Sequence, residues 1–112
     1  MNLYLETPTC AHCGNCGYQL FSADITRNLE AMASAAGLYR SLWRPNENGY
    51  WRARDIIGPL NSGLEWLRTH EAEAREHDAE NGWGTYEQFV PLVEQVLAAC
   101  KRHPNAAIRV CR

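Results

Sequence analysis

Residues 81–89, Asn81-Gly-Trp-Gly-Thr-Tyr-Glu-Gln-Phe89, constrain this chain more than any other stretch, because they write out a turn and the start of a helix together. Asn81-Gly82 is turn chemistry, and Gly84 permits backbone angles that a Cβ resists. Thr85-x-x-Gln88 has the form of a capping box, in which the N-cap residue and the third helical residue exchange hydrogen bonds. Phe89, Val93, Val96 and Cys100 then follow at helical spacing. A helix apolar on one face needs a partner to bury it against. Its expected span is 85–102, with Pro91 bending it near Glu87 and Lys101, Arg102 and His103 complementing the dipole at its end.

Both ends of the sequence alternate, as half-buried strands do. Leu3 and Leu5 share one side near the start, and Ile108 and Val110 do so near the end. Tyr18–Phe21 reads as a further short strand. Between the ends lie two more helical patterns. Ile25, Leu29, Met32 and Ala36 form one, with Ser22 or Asp24 as N-cap and Gly37 closing it. Leu38 to Trp43 adds another turn or two before Pro45. Ile56, Ile57, Leu60, Leu64 and Leu67 form the second, which Gly58-Pro59 is expected to kink or restart. Glu71 to Glu80 is charged and helix-permissive, the pattern of a solvated face. The expectation is α+β: one domain over 1–112, three main helices packed on a short antiparallel sheet of about three strands, the terminal strands neighbours, and a cysteine-rich loop at 10–17.

A length of 112 residues suffices for a single core. The net charge of −2, with Lys and Arg spread from Arg27 onward, offers no footprint for a nucleic-acid groove. No apolar run approaches the ~20 residues of a membrane span. The opening residues lack a basic n-region and an apolar h-region, so the expected compartment is cytosolic and its thiols reduced.

Cys10-Ala-His-Cys13-Gly-Asn-Cys16-Gly17 carries the most suggestive chemistry. C-x-x-C followed by Gly is the shape of a zinc knuckle, so a structural Zn2+ held by Cys10, Cys13, Cys16 and His12 is one expectation. Cys100, His103 and Cys111 are alternative fourth ligands. A reduced loop without metal is the other main reading. An iron–sulfur site would want Cys at position 20, where Leu20 stands. A redox dithiol would want a strand–loop–helix setting.

Asp24, Thr26, Arg27 and Asn28 crowd the opening turn of the first helix. They read either as caps on a wet helix face or as an anion or nucleotide site with Arg27 as a forked donor. Trp43-Arg44 is either a stacking pair or a helix-end plug, and Tyr50-Trp51-Arg52 is equally ambiguous. Trp83 between its glycines is either a lid on the core or a stacking platform. Nucleophile, P-loop, dinucleotide and zinc-protease motifs are missing from the sequence, and none of its four His has an evident orienting partner.

The chain resembles a family of small uncharacterised proteins of phage and prophage genomes. Its members carry C-x-H-C-G, S-A-N-I-T-H-N, A-G-x-Y-x-x-L-W-R-P and N-G-W-G-x-Y-E motifs. Here they stand as Cys10–Gly14, Ser22–Asn28, Ala36–Pro45 and Asn81–Glu87, with Ile56–Leu64 matching a further L-I-x-P-L-x-x-G-L piece. Asp24 replaces the family's Asn, Arg27 its His, and Pro91 is a third departure. The resemblance implies a phage-type context in a bacterial cytosol and no mechanism. Loss of the His argues for binding over chemistry.

Three functional readings follow. In the first, Asp24, Thr26, Arg27, Asn28, Trp43 and Arg44, with Asn81, Trp83 and Tyr86, line one polar-aromatic pocket that sequesters a small nucleotide-like ligand. The second is a zinc-stapled module that docks a host protein in an anti-defence or regulatory role. The third is an enzyme acting on nucleotides with Asp24 as base. The first requires the opening turn at Ile25 and the Trp83 indole to face each other across a hollow.

Overall fold

Leu3 and Leu5 alternate with half-buried neighbours and are wholly buried, and the strand that carries them is the middle of the sheet. The structure, a computed structural model, describes residues 1–7, 19–80 and 82–111. Among these, β1 (Asn2–Glu6) pairs antiparallel on one side with β2 (Gln19–Asp24) and on the other with β3 (Ala107–Cys111). The sheet order is β2-β1-β3. Leu5 lies opposite Phe21 on one flank and Ile108 on the other. The two outermost strands in sequence are therefore neighbours in space, and the expected three-stranded antiparallel sheet is present.

β2 starts and ends later than its expected span, and this corrects the first helix's capping. Ser22 and Asp24 belong to the strand, paired with Tyr4 and Asn2. Ile25 donates its backbone N–H to the Met1 carbonyl at 2.8 Å, extending that pairing by one residue. The helical segment begins only after Thr26, as a 3-10 turn over Arg27–Leu29 that runs into α1 (Glu30–Ala35). Thr26 is the N-cap, its hydroxyl accepting from the Asn28 N–H at 3.4 Å. Gly37, at φ +74°, ends the segment as expected. A short α2 (Tyr39–Leu42) follows, then a 3-10 turn at Asn46–Asn48.

α3 (Ala53–Thr69) and α5 (Tyr86–Arg102) are the long helices, with the short α4 (Glu71–Arg75) between them. Both run unbroken through their prolines, so neither restarts at Pro59 nor ends at Pro91. The burial follows the 3.6-residue period: Ile56, Leu60, Leu64 and Leu67 on α3, and Phe89, Val93, Val96 and Cys100 on α5, lie in one core with Leu3, Leu5, Ile25 and Met32. Gly63 lets α2's neighbour Leu38 pack directly on α3, in space that a Cβ would occupy. The start of α3 is fixed by Asp55, whose carboxylate accepts the backbone N–H groups of Trp51 and Arg52 at 3.1 and 3.0 Å. Among the described residues no helix is long and apolar enough to cross a membrane.

Candidate functional site

The Trp83 turn is built by three local devices. Gly82 and Gly84 take positive φ values of +79° and +105°. The Gln88 side chain reaches back, accepting from the Gly84 and Thr85 N–H groups at 2.7 and 3.2 Å and donating to the Gly82 carbonyl at 3.1 Å. Asp78 accepts the Tyr86 N–H at 2.7 Å, which places a carboxylate on the positive end of α5. A fourth, long-range contact docks the turn: the Asn28 side-chain amide donates to the Trp83 carbonyl at 2.9 Å. A Cβ on Gly84 would sit 2.7 Å from Asn28 Cβ, so glycine is what lets the two turns meet.

With its backbone held, the Trp83 indole stays 69 % exposed. It is no lid on the core. It lines a hollow of about 640 Å³ whose polar lining includes Asp24, Thr26, Arg27 and Gln88, with Met1, Leu29 and Leu92 supplying apolar surface. That volume lies within the range of small-ligand sites. The end of β2, the turn before α1 and the turn before α5 thus converge here from positions far apart in sequence. Arg27 takes part in none of the ion pairs formed among the described residues.

A second hollow of about 280 Å³ shares Met1 and Arg27 with the first and is otherwise lined by Glu30, Tyr39, Trp43 and Arg44. Trp43 is 2 % exposed and stacks on Tyr39, with ring centroids 5.8 Å apart. It is chiefly the helix-end plug, although it also contributes to the lining of this hollow. Arg44 is held by two partners, donating from Nε to the Tyr39 hydroxyl at 3.2 Å and pairing with Glu47 at 3.2 Å. Both hold its guanidinium above the ordinary value, the Tyr39 hydrogen bond most of all.

The residues expected in one pocket are therefore distributed. Asp24, Thr26, Arg27 and Trp83 line the first hollow, and Trp43 and Arg44 the second. Asn28 acts through the backbone of the Trp83 turn. Tyr86 points the other way, 8 % exposed, with its hydroxyl donating to the Leu67 carbonyl at 2.9 Å and Arg75 stacked 4.8 Å over its ring. It belongs to the α3–α5 core, and burial pushes its phenol above the ordinary value. Asn81 lies outside the described residues. Sequence reasoning missed Glu30, Tyr39, Gln88 and Leu92. Tyr39 was recoverable, since it sits one helical turn before Trp43, where two aromatic rings meet. Gln88 was legible only as a cap.

The expectation of a structural zinc is corrected. Among the described residues no group of three or more His, Cys, Asp or Glu side chains is placed to hold a metal ion. Cys100, a candidate fourth ligand, is wholly buried on α5, and burial pushes its thiol up to about 12, away from the thiolate a metal binds. Cys111 is exposed at the far end of β3, where its sulfur accepts from Arg109 at 3.2 Å. Cys10, His12, Cys13 and Cys16 lie outside the described residues.

No family model, curated protein or solved structure matches this chain.

Proposed function

We propose that this chain is a small binding protein that sequesters a planar, nucleotide-like ligand between Trp83 and the Asp24–Arg27 turn, in the phage-type context its motifs imply. The observation that carries this reading is the Trp83 indole, 69 % exposed although its own backbone is hydrogen-bonded to Asn28. A large aromatic kept in solvent on a fixed turn offers a stacking face whose backbone is already ordered, so a ligand has only the side-chain rotations of the indole left to organise. Arg27 supplies a forked donor for an anionic group, and Asp24 an acceptor for ring N–H groups. The polar lining is the kind that orients a ligand whose area is covered by Trp83, Leu29 and Leu92.

Thermal shift against a panel of nucleotides and metabolites tests it, run on the wild type and on Trp83→Ala. A ligand at 100 times its Kd stabilises by about 2.7 kcal/mol, or roughly 10 °C for a domain of this size. The expected result is such a shift in the wild type and its loss in the variant. A panel that moves neither protein counts against the small-ligand reading.

One observation favours a second reading, a docking surface for a host protein. Trp51 is 61 % exposed and lies outside both hollows, beside the isolated bridge from Arg52 to Ala107 at the edge of β3. A partner held by Trp51 would be lost from Trp51→Ala and retained by Trp83→Ala.

A further inference from the structure

The two hollows share Arg27 and Met1 as a common wall, and their charged groups are not distributed alike. The first holds the exposed indole and the Asp24 carboxylate. The second holds two guanidiniums, Arg27 and Arg44, beside the Tyr39 ring. Resting on the ligand site proposed above, we infer that the hollows form one bipartite site for a mononucleotide. Its base stacks on Trp83 with ring N–H groups toward Asp24, and its phosphate lies over Arg27 toward Arg44.

The chemistry of the second hollow supports this assignment. Arg44 is oriented before any ligand arrives, since the Tyr39 hydroxyl accepts from its Nε at 3.2 Å and Glu47 engages Nη1 at 3.2 Å. Both of those contacts leave Nη2 uncommitted in the hydrogen bonds formed among the described residues. Arg27 is exposed and outside the ion pairs formed among the described residues, which leave its whole fork uncommitted. A phosphate presents several charged acceptor oxygens to two such forks, whereas the acceptors of a nucleoside are all uncharged. Three carboxylates oppose the anion: Asp24, which lines the first hollow with Arg27, Glu47, already paired with Arg44, and Glu30, which lines the second hollow outside the ion pairs of the described residues. Glu30 therefore sets a limit on phosphate affinity that its removal lifts. A volume of about 280 Å³ is ample for a phosphate and part of a ribose.

Calorimetric titration of the full chain with guanosine and adenosine and with their 5′-monophosphates decides it. At least one monophosphate is expected to bind tenfold or more tightly than its parent nucleoside. Arg27→Gln and Arg44→Gln each remove that advantage, weakening the monophosphate severalfold more than its parent nucleoside, and Glu30→Gln enlarges it severalfold. All three side chains are exposed or half-exposed, and circular dichroism confirms that each variant folds. Equal binding of nucleoside and monophosphate, or an unchanged ratio in Arg27→Gln and Arg44→Gln, overturns the phosphate assignment and leaves the Trp83 site standing. Absence of binding by all four compounds also overturns it. The proposed function then stands or falls separately, on whether another compound of the thermal-shift panel acts through Trp83.

Discussion

Gly84 and Gly82 flank the same indole and share the same kind of backbone, yet they meet different surroundings. Both have positive φ, which strains any residue with a Cβ. Around Gly82 a new Cβ meets nothing within 4 Å, whereas at Gly84 it meets Asn28 Cβ at 2.7 Å and the Asn28 backbone carbon at 3.2 Å. Asn28 Cβ is not the free end of a flexible chain, so the two turns must part. Gly84→Ala is expected to destabilise by about 2–3 kcal/mol and Gly82→Ala by about 1 kcal/mol, as read from urea midpoints. The Gly84 variant also lets Trp83 lose its fixed position, so it weakens any ligand of the first hollow beyond its effect on folding. Equal midpoints for the two variants would show that the contact with Asn28 is not what makes this turn rigid.

At the scale of elements, the start of α3 carries a pH dependence whose sign is fixed. The Arg52 backbone N–H, and after it the Trp51 N–H, hold the Asp55 carboxyl below its ordinary value, with burial opposing them. A group more acidic when folded adds stability that is complete above the unfolded value near pH 4 and is lost as pH falls through the folded value below it. Asp55→Asn is therefore expected to lower the urea midpoint at pH 6 and to lose less of it than the wild type between pH 6 and pH 3. Parallel losses in the two proteins would remove Asp55 from that linkage. The long helices themselves were legible, because Ile56, Leu60, Leu64 and Leu67, like Phe89, Val93, Val96 and Cys100, repeat at the helical period and all are buried. Of the two outcomes expected at Gly58-Pro59, the restart is not taken, since α3 is one helix from Ala53 to Thr69. Pro59 and Pro91 each fall in the second turn of a helix, where only one earlier carbonyl loses its donor, and Pro91 sits on the exposed face. The end of β2 was misread for a different reason. Ser22 and Asp24 are good N-caps by local chemistry, but pairing with Tyr4 and Asn2 of β1 is a non-local term that outweighs it.

For the molecule as a whole, the site and the sheet depend on contacts across long sequence separations. The segments carrying Arg27 and Trp83 meet through the bond from Asn28 to the Trp83 carbonyl. The Trp83 turn was legible in isolation, by its paired glycines, whereas the turn carrying Arg27 was recognised as a cluster of polar residues but its N-cap was set too early, at Ser22 or Asp24. Their meeting was a conjecture, because no local period links residues so far apart. The sheet shows the same dependence, since Leu5 pairs with Ile108 across nearly all of the 112 residues. α3 and α5 are separated only by α4 and the Trp83 turn. By loop-closure entropy, joining β1 to β3 costs roughly 1.5 kcal/mol more than joining the two helices when neither is yet formed. The helix pair should therefore assemble in the folding transition state and β3 should dock after it. Val96→Ala, in the α3–α5 core, is expected to slow folding by most of its equilibrium loss. Ile108→Val, costing about 1 kcal/mol, is expected to leave the folding rate nearly unchanged and to speed unfolding about fivefold. Stopped-flow chevrons measure both. Were Ile108→Val to slow folding by its full equilibrium loss, the sheet would have to close in the transition state, and the site's two turns would be brought together by the strands rather than by the helices that follow them.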